Sequence, residues 1–188
     1  LVDTAAAAHA AIFARGGRPY TETGRTTFLV AASVSLESDS VATVVLSIGD
    51  CNAYRYAADL GALTPICGSL RRGTNTTNCG GMLGAAVRGS PLLDHCELHW
   101  VTSSEDDDIL LMTDGFHDNL NATICRLQEP NELYFQHTVV PLLQESATHG
   151  DFADRLATHI VETAADLLAH HQRGRAVRPA ENIPGKLD

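Results

Sequence analysis

Three aspartates stand just beyond short apolar runs or turns. Asp50 follows Val44-Val45-Leu46-Ser47-Ile48-Gly49, Asp114 follows Asp108-Ile109-Leu110-Leu111-Met112-Thr113, and Asp188 closes Pro184-Gly185-Lys186-Leu187-Asp188. A carboxylate at the end of a rigid strand has little freedom. Hard divalent cations such as Mg²⁺ and Mn²⁺ take oxygen ligands in near-octahedral array, with waters in the remaining positions. Strand-end aspartates meeting on one rim would supply such a site. Gly115, next to Asp114, lets the backbone turn tightly beside an ion. Asp118 lies four residues beyond Asp114. A helical turn over Phe116 to Leu120 would bring it near Asp114, as a further ligand or as a group that orients one. Taken singly, Gly-Asp and Asp-Gly are common turn dipeptides. Spacing alone therefore reaches a cation site in a mixed α and β domain, and no further.

The elements that must position these groups can be read from the pattern. Val2 to Arg15 is alanine-rich and ends at Gly16-Gly17, which predicts a helix. Arg18 to Gly24 reads as a polar loop. Thr26 to Val34 and Val41 to Ile48 read as strands about a turn at Glu37 to Ser40, and Asn52 to Tyr56 as a third strand. Gly61 to Asp94, with seven glycines and two prolines, reads as a long irregular loop. Cys96 to Thr102 alternates: Cys96, Leu98 and Trp100 on one face, Glu97 and His99 on the other. An acidic turn, Ser103 to Asp107, leads to a wholly apolar strand, Ile109 to Met112, expected to be buried. Trp100 and Phe116 are expected in the core. Helices are expected over Leu133 to Leu143, interrupted or begun near Pro141, and over Asp151 to His171, where Phe152, Leu156, Ile160, Ala164 and Leu167 share a face. Arg173 to Pro184 reads as a basic loop. The order is α+β with adjacent antiparallel strands rather than alternating βαβ units.

Two of the segments resemble motifs of the metal-dependent type 2C, or PPM-family, serine/threonine protein phosphatases. Ile48-Gly49-Asp50-Cys51-Asn52-Ala53-Tyr54 is similar to their Gly-Asp-Ser-Arg-Ala-Tyr hairpin. Asp108 to Leu120 is similar to their strand and turn of the type Asp-Ile-Leu-Leu-x-Ser-Asp-Gly-hydrophobic-x-Asp, and is the more specific of the two. Gly24-Arg25-Thr26-Thr27 resembles the start of one of their strands. Pro184 to Asp188 resembles the approach to their last metal aspartate, and Gly80-Gly81-Met82-Leu83-Gly84 with Pro91 to Asp94 the segment before a strand pair in one branch. The resemblance implies a sandwich of two antiparallel sheets flanked by helices, in αββα layers, as a single domain over residues 1–188. It implies that Asp114 and Asp188 bind a pair of Mn²⁺ or Mg²⁺ ions, and that Asp50 and Asp118 serve a third ion near a phosphoprotein substrate. A metal-bridged water would attack the phosphorus.

The chain departs from that family at its ends. Nothing before Thr26 resembles the family's phosphate-binding Arg or its first metal-ligand motifs, and no final strand follows Asp188. The domain is therefore expected to be incomplete at both ends. The alternative is a catalytically inactive phosphatase fold that binds or assembles other proteins, even inside a ribonucleoprotein. Cys51 replaces the family's Ser at a position that is not a ligand.

Bulk properties exclude other classes. The net charge of -10 opposes direct nucleic-acid binding, which needs clustered Lys and Arg. Five cysteines, at 51, 67, 79, 96 and 125, form no CxxC pair, so they read as reduced thiols in an intracellular compartment, cytoplasm or mitochondrion. No run approaches the roughly 20 apolar residues of a membrane span. GxSxG, Walker A and HExxH motifs are absent. His117 reads as a rim residue that could assist proton transfer, and His95 and His99 as solvent-facing rather than a zinc pair. His170-His171 with Arg173, Arg175 and Arg178 make a small basic patch open to an acidic partner or to solvent.

Overall fold

The computed structural model describes residues 1–16, 25–37, 39–68, 80–87, 90–122, 125, 127–128 and 130–174. Outside them lie the expected loop at 18–24, all of the loop expected over Arg173 to Pro184 except Arg173 and Gly174, which instead end the last helix, and Cys79 and Asp188; the side chains of His170, His171 and Arg173 are likewise not described. The described residues form a mixed α and β structure of three antiparallel sheets and four helices, in two compact units.

The first unit comprises Leu1–Leu60 and Thr64–Thr113. Helix α1 (Val2–Gly16) opens it, with Asp3 in the first turn where the helix dipole favours an acid. Strands β1 (Arg25–Thr26), β2 (Phe28–Ser35), β3 (Ser40–Ile48), β4 (Asn52–Ala57), β5 (Ala62–Cys67), β6 (Met82–Val87), β7 (Ser90–Leu92), β8 (Cys96–Ser104) and β9 (Asp108–Met112) follow. They pair as β1-β6-β7, β2-β3-β8 and β5-β4-β9. The central ladder of the second sheet is long and regular, from Phe28↔Ile48 to Ser35↔Val41 on one side of β3 and from Ser40↔Ser104 to Ile48↔Cys96 on the other.

Strand β3 is the pivot because its two faces are both apolar. Leu46 and Ile48 turn to α1, where they pack with Ala5 and Leu83 and with the flanking Leu1, Ala8, Ile12, Phe28 and Val30. Val45, on the opposite face, packs with Ala53 and Cys67 of the third sheet and with Leu29, Ala31 and Ile66. Strand alternation thus creates two cores from one strand, a helix on one side and a second sheet on the other. Each large aliphatic residue so buried contributes about 1.5–3 kcal/mol. Thr43 is fully buried and is satisfied by the Ser33 hydroxyl, 2.8 Å away across the ladder.

The expected long loop is largely sheet: β5, β6 and β7 all fall inside Gly61 to Asp94. Its prolines misled. Pro65 and Pro91 sit in β5 and β7, each at the edge of its sheet, where a missing N–H costs no ladder bond. Strand β9 was expected to be wholly buried. Instead it alternates, with Leu110 and Met112 buried and Leu111 44% exposed, as befits an edge strand. Trp100 and Phe116 are not core residues: they are 72% and 38% exposed. The alternation read in β8 is present with its sense reversed, the apolar face being the open one.

The second unit comprises Gly61–Leu63 and Asp114–Asp188. Its helices are α2 (Asp114–Asn119), α3 (Asn131–Glu145) and α4 (His149–Gly174). Leu156, Ile160 and Ala164, at helical spacing, form the buried stripe of α4, and Phe135 and Val139 that of α3; α4 packs against both α2 and α3. The Thr148 hydroxyl accepts the Asp151 N–H at 3.1 Å and the Asp151 carboxylate accepts the Ala147 N–H at 3.0 Å, a reciprocal cap that starts α4. Helix α3 runs through Pro141 rather than breaking there; that position faces solvent, where water can meet the carbonyl left unbonded one turn back. Among the described residues no helix is long and apolar enough to cross a membrane.

Candidate functional site

The turn between β3 and β4 carries Asp50, and three other segments lock it. Gly49 has φ +107°, and a Cβ there would lie 2.6 Å from Thr27 Cγ2 and 2.8 Å from the Gly81 carbonyl oxygen. Only glycine fits both the dihedral and the space. The Gly49 N–H donates to the His95 carbonyl at 2.9 Å, and the His95 N–H donates to the Gly80 carbonyl at 3.2 Å. A Cβ on Gly81 would meet Gly49 N and His95 O, both at 2.9 Å. Beyond the turn, the Cys51 thiol donates to the Thr27 hydroxyl at 3.3 Å, the Ser47 hydroxyl to the Cys51 carbonyl at 3.4 Å, and the Asn52 amide to the Asp50 carbonyl at 3.1 Å. Asp50 itself is 2% exposed. It is therefore a carboxylate inside the protein on a backbone with almost no latitude.

Thr27 and the Gly80-Gly81 pair, which the sequence offered only as parts of segments resembling the PPM family, support this turn. The strand expected over Thr26 to Val34 is in fact broken at Thr27, between β1 and β2. His95 is half-buried rather than fully solvent-facing. Its ring lies against Gly80, where a Cβ would overlap it, so only a glycine, here at φ +69°, fits beside it. His99 is partly exposed and its Nε2 lies 3.1 Å from Glu97 Oε2.

Asp114 begins α2 immediately after β9, and Asp118 lies one turn on, so that both half-buried carboxylates belong to one side of one helix. The side chain of Asn119 donates to the Gly115 carbonyl at 2.7 Å and is 3% exposed, which fastens this short helix to its own start. The chain then folds back: Asn121 N–H donates to the Asp118 carbonyl, and the Cys125 thiol to the carbonyls of Asp118 and Asn119, at 3.7 and 3.4 Å. Burial, then the charge of Asp118, push the Cys125 thiol up to about 11, against a lowering hydrogen bond from Asn121. The ring of His117 is tilted on that of Phe135, centroids 5.9 Å apart, so it is a packing group on α3.

Of the expected ligands, the structure brings together Asp114 and Asp118. Asp50 belongs to the first unit and Asp114 and Asp118 to the second, while Asp188 lies outside the described residues. Among the described residues no three His, Cys, Asp or Glu side chains converge to hold an ion. As donors the aspartates fit: they are hard oxygens of the class that Mg²⁺ and Mn²⁺ take. Their number among the described residues is short of a two-ion site.

A second carboxylate is anchored nearby in sequence and was read only as part of an acidic turn. Asp107, its side chain 1% exposed, holds Arg55 of β4 and also accepts the backbone N–H groups of Ala58 and Ser104. Burial alone would raise its pKa; the Ser104, Arg55 and Ala58 hydrogen bonds outweigh that and leave it below the ordinary carboxylate value.

Compared with models of known protein families, with curated proteins and with solved structures, the chain matches none.

Proposed function

We propose that the chain is a metal-dependent phosphoprotein phosphatase domain of the PPM type, in αββα layers, in which Asp50, Asp114, Asp118 and Asp188 are carboxylates for Mn²⁺ or Mg²⁺. The observation that carries the reading is the β4–β9 ladder. It ends with Asn52 opposite Met112, so the segment back to Asp50 and the segment on to Asp114 both leave the same end of one strand pair. Asp50 and Asp114, far apart in sequence, thus each stand two residues beyond the same end of that strand pair. The rigid Gly49 turn supports it, because a ligand held without freedom loses little entropy when an ion binds. When bound, divalent cations would acidify water and stabilise charge on a phosphoryl group. The aspartates would bind and orient them.

A second reading is favoured by one observation: the described residues offer no three-residue cation cluster. On that reading the fold is kept as an inactive binding or assembly subunit for other proteins, since sites can be lost while folds persist. Mn²⁺-dependent hydrolysis of a phosphopeptide by the full-length protein, beside Asp114→Asn, separates the two. Metal-dependent turnover that falls at least ~100-fold in the variant supports the enzyme. A folded protein with neither turnover nor Mn²⁺ binding supports the subunit.

A further inference from the structure

We propose that strand β8 is a homodimer interface, in which two copies pair antiparallel about a two-fold axis at Trp100 and fuse two three-stranded sheets into one of six. The inference stands apart from the phosphatase reading and rests on four observations of the first unit.

Strand β8 is an edge, bonded to β3 and to no other described strand. It is nine residues long and its ladder with β3 has no bulge. Natural edge strands are usually shortened, bulged, or armed with Lys or Pro against pairing with another chain. Strand β8 is long and has no bulge, Lys or Pro; Glu97 and His99 are confined to its other face, where they pair with each other. Its open face is Cys96, Leu98, Trp100, Thr102 and Ser104, all exposed, with Leu98 64% and Trp100 72% exposed. On β3 and β2 the same face is covered at one end, where Leu46, Ile48, Phe28 and Val30 pack under α1, and at the other reaches Val34, 63% exposed; it carries no charged side chain on any of the three strands.

The choice of a second copy comes from self-complementarity. Trp100 is the middle residue of Cys96–Ser104. An antiparallel pair centred there overlaps the full strand and sets Trp100 against Trp100 of the partner subunit, close enough for ring contact. Leu98 then faces Thr102 of the partner subunit, and Cys96 faces Ser104 of the partner subunit. On the other face, Glu97 meets Ser103 of the partner subunit and His99 meets Val101 of the partner subunit. No like charges oppose, and the uncharged faces of both sheets join into one strip. Isologous pairing of this kind closes on itself and does not propagate into a fibre.

The test is the mass of the full chain by sedimentation equilibrium from ~1 to ~100 µM, a range that covers interfaces of modest area. A dimer is expected, accompanied by a blue shift of fluorescence from Trp100, the only tryptophan, as concentration rises. Trp100→Glu, which sets two carboxylates face to face, should weaken dimerisation at least ~10-fold while the circular dichroism stays native. Should that variant misfold, Ser104→Cys decides the question independently. It sets a thiol opposite Cys96 of the partner subunit, and mild oxidation by diamide should give a covalent dimer that Cys96→Ser abolishes. A monomer throughout the range overturns the proposal. So does a dimer that survives Trp100→Glu, or one in which Ser104→Cys forms no Cys96-dependent cross-link.

Discussion

Arg55 and Asp107, separated by 52 residues, meet through two nitrogens on one oxygen: Nη2 lies 2.6 Å and Nε 2.8 Å from Oδ2. The contact joins the middle of β4 to the turn between β8 and β9. Because Asp107 also accepts two backbone N–H groups, it serves as the clasp of that turn rather than as a surface ion pair of negligible worth. Asp107→Asn should therefore destabilise the fold by about 1.5–3 kcal/mol, the cost of weakening hydrogen bonds to a charged group, read as a lower urea midpoint with unchanged slope.

The same clasp sets a pH dependence. The carboxyl of Asp107 is held below its ordinary value of 3.8. Its folded pKa is thus lower than its unfolded one, so its contribution is complete above the unfolded value and is lost as pH falls through the folded value. The stability difference between the native protein and Asp107→Asn should be constant from neutrality down to about pH 5 and shrink below about pH 4. A difference that grows on acidification would contradict the assignment.

Gly49→Ala should cost about 1–3 kcal/mol or more, since it combines a disfavoured dihedral with contacts of 2.6 Å to Thr27 Cγ2 and 2.8 Å to a backbone oxygen. Thr27→Ser keeps the hydroxyl that meets Cys51 and removes the nearer clash. The double variant should recover part of the loss in a thermal melt, while the contact with Gly81 keeps it below the native protein.

If Asp114 is a cation ligand, millimolar Mn²⁺ should raise the melting temperature of the native protein by mass action, and Asp114→Asn should reduce that gain. This reads binding without catalysis. An equal shift in both proteins would remove Asp114 from the ligand set.

Among the four described cysteines, Cys96 is exposed and Cys51, Cys67 and Cys125 are buried. Burial is the largest cause raising both Cys67 and Cys125, the latter to about 11, which keeps them protonated and unreactive at neutral pH. Iodoacetamide at pH 7.5 should modify Cys96 well before these three, as peptide mapping by mass spectrometry would show.

The sequence was most readable where a local rule and the tertiary environment agree. Helix α1, the β2–β3 hairpin, β4 and α4 follow from composition and periodicity, and Asp114-Gly115 stands where the apolar run ends. Reading failed where the environment decides. Pro65 and Pro91 look like loop residues until their strands are known to be edges. Trp100 looks like core until its face of β8 is known to be the open one. Asp107 is one of four successive acids in Glu105 to Asp108, and nothing local distinguishes the one that Arg55 chooses. The support of Asp50 by Thr27, Gly81 and His95 joins segments that no spacing rule connects.

That last convergence bears on the order in which the molecule can be made. Thr27, Gly49, Gly81 and His95 come from four separate stretches of chain, and the Asp50 turn is held only when all have arrived. Contacts of such long sequence separation are closed late, after hairpins such as β2–β3 have formed. During synthesis the turn cannot acquire its final shape until His95 has left the ribosome. Asp50 thus waits on a residue 45 positions further along the chain, and its rigidity comes only after local hairpins have formed.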